Sequence, residues 1–556
     1  MHVSPRRIFT TAAILAIALR SGGCSTRRIP ESGSDGGSDA GADAGTDAGT
    51  DGGSDAGASF DGGSPIGGDS VLMHHKNPNR DGVYIESALT VSAISTLHRD
   101  TSFVTSGIVG NVYAQPLFVD NDAGPDLVIV ATEADQIYAL NAATGAAVWT
   151  VDAGTPVPLA TLATCGNIDP VGVTGTPVID PITRTLFFDA ELIPASGVPT
   201  HRVFALSVDD GSSRPGWPVD IPSNVHSGSI DFISNVQGQR GALAVVGGRV
   251  YIPYGGRFGD CGDYHGWVVG ISIYNPSDIQ VWLTPTHGGG AWMPGGIATD
   301  GTDLFIATGN TFGASATWGG GDAMIRLSPE SGLSMSGYFA PANWKTLDNE
   351  DLDMGTAPVL FDLPGSTPSA LAILFGKDTN AYLLDRNSLP GTGAALGGNV
   401  SLCTPTSSGA CATRASVATA EIISAAALYT TATATYVAVK APGASCTGGL
   451  TSSDLLTLRI VPGSPPTLAP SWCGRGGLGS PMVTTSDGHA DAIVWTLGAQ
   501  SDSRLHGFLG DTGAPVAFTA STTAYPGMRA YNTPIAAKGR IFVPVDGPTG
   551  VIAFSP

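Results

Sequence analysis

The sequence predicts an all-β chain closed into a ring of about eight four-stranded blades, a β-propeller, with seven blades as the nearest alternative. Three observations predict it. Short runs rich in β-branched and aromatic residues recur along the chain. The 76 glycines and 39 prolines supply the turns between them, while charged residues make up only 13%. A two-strand unit ending in an acidic or Thr-Gly turn and a Trp recurs in degenerate copies, and a single ring accommodates all of them as one domain, residues 70–556.

The chain starts with what reads as an export signal, residues 1–23. Arg6 and Arg7 precede an apolar run from 8 to 19 that is too short to span as a mature helix, and small residues precede Cys24. Arg6-Arg7-Ile8-Phe9 resembles the twin-arginine export motif; two ordinary basic residues of a signal are the plainer reading. Cys24 resembles a lipobox cysteine whose thiol takes diacylglycerol, although Ser21 stands where that motif has an aliphatic residue and Arg20 interrupts the apolar run. The expected location is the periplasm, or the outer membrane or cell surface through a lipid anchor.

Residues 24–69 follow as a spacer. Asp recurs nearly every fourth position among Gly, Ala, Ser and Thr, so nothing there can bury a core, and the segment is expected to be disordered. Part of the net charge of −21 sits here, on Glu31, Asp35, Asp39, Asp43, Asp47, Asp51, Asp55, Asp61 and Asp69. Acidity disfavours nucleic acid and anionic membrane as partners.

Without Cys24 six cysteines remain: Cys165, Cys261, Cys403, Cys411, Cys446 and Cys473. An even count in an exported chain suggests disulfides. The sequence-local pairs are Cys403 with Cys411 and Cys446 with Cys473, leaving Cys165 with Cys261; other connectivities and a free pair stay open. No CxxCH occurs, so no c-type haem is expected.

The clearest repeat is LVIVATEADQIYALNAATGAAVW, from Leu127 to Trp149: two strands, a Thr-Gly turn and a terminal Trp. RTLFFDAEL with HRVFALSVDDG and Trp217 forms a second unit, and ALAVVGGRVYIPYGG with HGWVVGISI and Trp282 a third. GGIATDGTDLFIATGN with GDAMIRLSPESG is a fourth and APVLFD with LAILFGKDTNAYLLDR a fifth; 413–473 and 479–517 are weaker, and 533–556 is incomplete. The incomplete unit needs one more strand, expected around 102–109, which would close the ring and remove its exposed edges.

These units resemble the pyrroloquinoline quinone (PQQ) repeat, whose Trp docks between neighbouring blades. HHKNPNRDGVYIESALT, VYAQPLFVD, GTPVIDP and GGRFGDCGDYHGW, in that order, resemble a bacterial family of PQQ-like propellers. The resemblance implies a central funnel in which PQQ stacks on a Trp beside Ca²⁺, an aspartate takes the alcohol proton and a cation reaches the quinone oxygens. In that order the chain offers Trp292 of GGGAW as floor, Asn310 of ATGN eighteen residues later as a calcium ligand, Asp351 and Asp353 of NEDLD as the catalytic acids, and Lys377 as the cation. Glu191 of DAEL resembles a second calcium ligand. Each also has a structural reading: blade packing for Trp292, a turn for Asn310, a hairpin for Lys377, a solvated loop for the acids. The pattern departs from the dehydrogenases in having no adjacent cysteines and in Leu352 standing where a Trp is common.

Other motifs point less far. Gly474, Gly476 and Gly479 spell GxGxxG but precede a strand, so no phosphate cradle follows. His74 and His75 read as surface loop residues; His265 with Cys261 and Asp263 is a minor metal candidate; Asp120, Asp122 and Asp126 read as an acidic hairpin turn before a calcium site. GxSxG, HExxH and P-loop signatures are missing. Two functions remain: a PQQ- and calcium-dependent oxidoreductase of an alcohol or sugar with an external electron acceptor, or a non-catalytic propeller binding an envelope protein or a glycan.

Overall fold

The computed structural model describes residues 27–28 and 66–556, apart from 123, 163–164, 314–316, 397–416, 445 and 447–452. Cys24, most of the spacer, and Cys403 with Cys411 lie outside these residues. The chain is an eight-bladed propeller with few helices. Blade 1 comprises Leu117–Val119, Leu127–Ala131, Gln136–Asn141 and Ala147–Asp152, each antiparallel to the next. Blades 2 to 7 begin at Val178, Ala244, Ala298, Val359, Ala427 and Met482, and blade 8 starts with Ile535–Ala537. Blade 5 has three described strands.

The second strand of each blade is the apolar run of its repeat, and burial of both faces explains why these runs do not alternate. Leu127–Ala131, Leu304–Thr308 and Ile493–Leu497 are buried at every position. Blades are joined as the repeat implied. Trp149 of blade 1 donates its Nε1–H to Val208 O of blade 2 at 2.8 Å, and Trp472 of blade 6 donates to Gly510 O of blade 7 at 2.7 Å. Each ring packs on a turn glycine of the next blade. A β-carbon on Gly211 would lie 2.8 Å from the Trp149 ring, and one on Gly513 would lie 2.5 Å from that of Trp472, so the acidic-Gly and Thr-Gly turns are docking sites as well as turns.

Closure pairs an N-terminal with a C-terminal strand, but the strand differs from the one expected. His98–Arg99, not 102–109, pairs antiparallel with Val551–Ser555. Residues 102–109 instead bridge the ends of the ring: Val104 N–H donates to Thr144 O at 2.9 Å, and Thr105 Oγ1 donates to Val551 O at 3.2 Å. The folded body also begins earlier than residue 70, because Ile66 is buried and bonds Pro181 O. Arg27–Arg28, within the expected spacer, pair in parallel with Val151–Asp152 at the outer edge of blade 1.

Residues 71–86, which contain HHKNPNRDGVYIE, run around the ring axis and bond to all eight blades. Val71 exchanges backbone bonds with Phe118 of blade 1, and Leu72 O accepts from Ile179 N of blade 2. Arg80 donates to Leu243 O at the start of blade 3 at 2.8 Å. Pro78 O, Asn79 O, Asp81 O and Gly82 O accept from Thr299, Leu360, Leu428 and Val483 of blades 4 to 7, and Glu86 Oε2 accepts from Gly539 N of blade 8. This axial segment corrects the reading of His74 and His75 as surface residues. They are 3% and 0% exposed, with rings stacked at 4.3 Å, because the blades' inner strands enclose them.

Cys165–Cys261 and Cys446–Cys473 are disulfide-bonded. No helix among the described residues is long and apolar enough to cross a membrane.

Candidate functional site

In a propeller built this way the second strands of all blades run toward the same face, so the residues that follow them gather around one mouth. Glu191 ends Thr185–Leu192 of blade 2, Arg257 follows Arg249–Gly256 of blade 3, Asn310 follows Leu304–Thr308 of blade 4, and Lys377 follows Ala370–Phe375 of blade 5. Trp292 lies between blades 3 and 4. Asp351 caps the helix Trp344–Glu350 in the left-handed region, φ 56°, and the chain reverses there to bring Asp353 inward. A cavity of about 500 Å³ results, with Trp292, Asp351, Asp353 and Lys377 in its wall.

Asp353 is the hub. Its Oδ2 accepts from Trp292 Nε1 at 3.1 Å and pairs with Lys377 Nζ at 2.7 Å; its Oδ1 accepts from Asn310 N at 2.6 Å. Lys377 reaches Asp351 Oδ1 at 2.7 Å as well, and its ammonium lies 5.7 Å from the Trp292 ring centre. Burial alone would push the Lys377 pKa down, but the Asp353 and Asp351 carboxylates outweigh it and hold it well above the usual lysine range. The loop is fixed from behind: Asp348 Oδ1 accepts from Thr311 N at 2.5 Å and from Thr311 Oγ1 at 2.7 Å.

Glu191 is 1% exposed and engaged elsewhere. Arg257 grips it with both terminal nitrogens, Nη1 to Oε2 at 3.0 Å and Nη2 to Oε1. Next to this pair, His201 Nδ1 bonds Asp189 Oδ2 at 2.7 Å. Burial acts to lower the His201 pKa, and Asp189 with Glu191 reverses that and raises it. Behind the wall, burial pushes Glu133 up to about 7 and Asp135 well above the carboxylate range.

The remaining motifs resolve structurally. Cys261 is in a disulfide and His265 Nδ1 faces Thr284 O at 2.9 Å, so they and Asp263 form no metal set; no group of three metal-ligating side chains occurs among the described residues. Lys538 bridges Asp120 and Asp126, as an acidic hairpin allows. Gly476 N and Gly477 N donate to Asp454, where a phosphate cradle would need an anionic ligand.

Sequence reasoning missed Arg240, Arg257, Phe258 and Tyr531, all in the funnel wall. The available signal was an arginine inside a glycine-rich stretch, in GQRG and GGRFG, where small neighbours let a long side chain reach into a cavity. Phe258 is 70% exposed on the rim, and its carbonyl accepts from Gly166 N, next to the Cys165–Cys261 disulfide.

No protein-family model and no curated protein matches the chain. Solved structures do. A quinohemoprotein alcohol dehydrogenase from Comamonas testosteroni superimposes with a TM-score of 0.55 at 14% identity, over 87% of this chain and 80% of that one. Quinohemoprotein alcohol dehydrogenase ADHIIG of Pseudomonas putida HK5 gives 0.59 at 13%, over 88% and 80%. A europium-containing methanol dehydrogenase gives 0.56 at 15%, over 85% and 89%. The chain shares the propeller fold of these structures. At these identities the likeness concerns the fold.

The funnel has an aromatic wall and room for a flat cofactor, an indole and about 500 Å³ of space, but two of its cations are already paired, Arg257 with Glu191 and Lys377 with Asp351 and Asp353, which leaves Arg240. The donors expected for calcium do not fit the ion as well. Calcium takes 6–8 oxygens. Both Glu191 oxygens are held by Arg257, and those of Asp353 by Lys377, Trp292 and Asn310 N. Only the Asn310 side-chain amide has no hydrogen-bond partner among the described residues.

Proposed function

We propose that this is an exported oxidoreductase that holds PQQ in the funnel and oxidises an alcohol or sugar, passing electrons to a separate acceptor. The observation that supports it is the convergence of Trp292, Asp353 and Lys377, from different parts of the ring, on one space, with the Asn310 N–H held behind them on Asp353. PQQ would supply the two-electron acceptor when bound. Trp292 offers a ring as its floor, with its N–H anchored on Asp353. Lys377 places a positive charge at the edge of the same space and balances the two aspartates. Asp353 takes the hydroxyl proton of the substrate, its carboxylate aimed by three donors before the substrate arrives. The disulfide-braced rim that carries Phe258 narrows the mouth against water.

Calcium, which the sequence resemblance also implied, would need Glu191 freed from Arg257, and no step is assigned to it. Export and lipidation at Cys24 complete the reading, with the spacer tethering the propeller to a membrane. Reconstitution of the purified chain with PQQ, followed by absorbance and dye-linked turnover, tests the activity. No quinone spectrum and no turnover would favour a propeller that binds an envelope protein or a glycan. Release of Cys24→Ser from membranes tests the anchor, and unchanged fractionation would refute it.

A further inference from the structure

Against the axial segment, next to the funnel, lies a second cavity of about 20 Å³. That is room for one particle the size of a water molecule, and too little for a carboxylate, phosphate or sulfate. Arg240 borders it, with its guanidinium over the Tyr531 ring at 5.2 Å. The funnel's other two cations each hold carboxylates, Arg257 that of Glu191 and Lys377 those of Asp351 and Asp353. Arg240 is half-buried and has no ion pair and no side-chain hydrogen bond among the described residues, and no Asp or Glu lines the small cavity. Glu133 feels the Arg240 charge, but it accepts from Thr174 and, at 2.7 Å, from Gly172 N instead.

The rest of the lining is rich in uncommitted donors. Tyr113 Oη accepts from Arg529 Nη1 at 2.9 Å and Thr176 Oγ1 accepts from Gln115 N at 2.9 Å, which leaves each hydroxyl its own O–H. Gln115 Nε2 spends one N–H on Met73 O at 3.2 Å and keeps the other. His74, also in the lining and 3% exposed, has an Nδ1 without a partner. Its Nε2 meets Thr533 Oγ1 at 3.3 Å, and when that hydroxyl donates, the ring proton sits on Nδ1 as a further donor. Water would satisfy these donors but not the charge, and a cation drawn out of water without a counter-charge is costly. One small anion satisfies both. We propose that this cavity binds a monatomic anion, a halide such as chloride, held by Arg240 and the hydroxyls of Tyr113 and Thr176. The halide neutralises the funnel's unpaired cation from below, and its binding requires no cofactor in the funnel.

Melting of the full chain is compared in chloride, bromide, sulfate and gluconate at one ionic strength, for wild type, Arg240→Gln, Arg240→Lys and Tyr113→Phe, and bromide is located by its anomalous scattering in soaked crystals. Chloride and bromide should raise the wild-type melting temperature by about 2–4 °C over gluconate, saturably, because an ion that binds only the folded state stabilises it by mass action. Arg240→Gln should abolish that difference, Arg240→Lys should keep part of it, and Tyr113→Phe should weaken halide binding by about 3- to 10-fold. The bromide peak should fall in the small cavity. Because Arg240 has no ion pair or hydrogen bond to lose, Arg240→Gln in gluconate should melt close to wild type in gluconate, which separates lost binding from lost fold. Equal melting of the wild type in chloride and gluconate, a difference that survives in Arg240→Gln, or a water where bromide is expected would overturn the proposal. Sulfate that stabilises through Arg240 as chloride does would overturn it too, since a polyatomic anion fits only the larger cavity.

Discussion

Asp353 and Lys377, on loops of neighbouring blades, meet at 2.7 Å, and the Lys377 ammonium lies over the Trp292 ring, 5.7 Å from its centre. The Asp353 oxygen that Lys377 holds also accepts the Trp292 N–H, so floor, cation and acid form one unit.

If Asp353 is the base, Asp353→Asn should lower kcat by about 10²- to 10⁴-fold and leave PQQ affinity within a few fold, since proton transfer matters in the transition state. Lys377→Met should instead weaken PQQ and leave Asp353 without its cation. Steady-state kinetics with quinone titration check both. Equal loss of binding in the two variants would count against a base.

The ring was legible because each repeat carries its own strand, turn and Trp, which are local signals. That Trp292, Asp353 and Lys377 share one cavity wall was legible through order along the chain, since each follows or precedes a repeat strand by a short step, whereas Asn310, which shows the cavity only through its N–H on Asp353, was not placed by that order. His74, His75 and Arg80 were not, because their burial is made by eight blades closing around them, and no window of sequence contains that. The partner of Glu191 was hidden for a related reason: Arg257 comes from the next blade, and only the closed ring sets them side by side.

Arg80 should be a structural keystone. It is 1% exposed and donates to Ile297 O, His74 O and Leu243 O at 2.8, 2.7 and 2.8 Å, tying the axial segment to blades 3 and 4. Arg80→Met removes the donor from three carbonyls and should cost on the order of 3–5 kcal/mol, seen as a lower denaturant midpoint. Arg80→Lys should recover little, because one ammonium cannot span three directions. A loss under about 1 kcal/mol would contradict this role.

The axial segment should also be acid-sensitive. Burial pushes His75 down from 6.5 to about 4, so between those values the unfolded chain binds a proton that the folded chain refuses. Its contribution is complete above pH 6.5 and is lost as pH falls toward 4, about 3 kcal/mol in all. Glu133 acts with the opposite sign. Raised from 4.5 to about 7, it stays protonated when folded, and stability falls as pH rises across that window. Urea midpoints from pH 4 to 8 should therefore show a shallower acid limb in His75→Gln, with buried His74 supplying the remainder, and a shallower decline toward neutral pH in Glu133→Gln, with Asp135 supplying the remainder. Parallel curves in all three proteins would refute the assignment.

Arg257 and Glu191 decide whether metal belongs in the funnel. Their side chains are 5% and 1% exposed, and a cation entering at Glu191 would have to displace a guanidinium already bonded through both nitrogens. Chelation should therefore leave the melting temperature unchanged, and millimolar Ca²⁺ should not raise it, because an ion that binds only the folded state stabilises it by mass action. Glu191→Gln should destabilise by roughly 3–5 kcal/mol, since it strands a buried positive charge. Arg257→Met strands the opposite charge, and here calcium finds its opening: Glu191 is freed, so added Ca²⁺ should recover part of the lost stability in this variant and in no other. Calorimetric scans of wild type and both variants, with EDTA and with Ca²⁺, provide the comparison. A calcium-dependent rise in the wild type would mean that Arg257 yields its place to the metal, and that the donor set works as the sequence resemblance first implied.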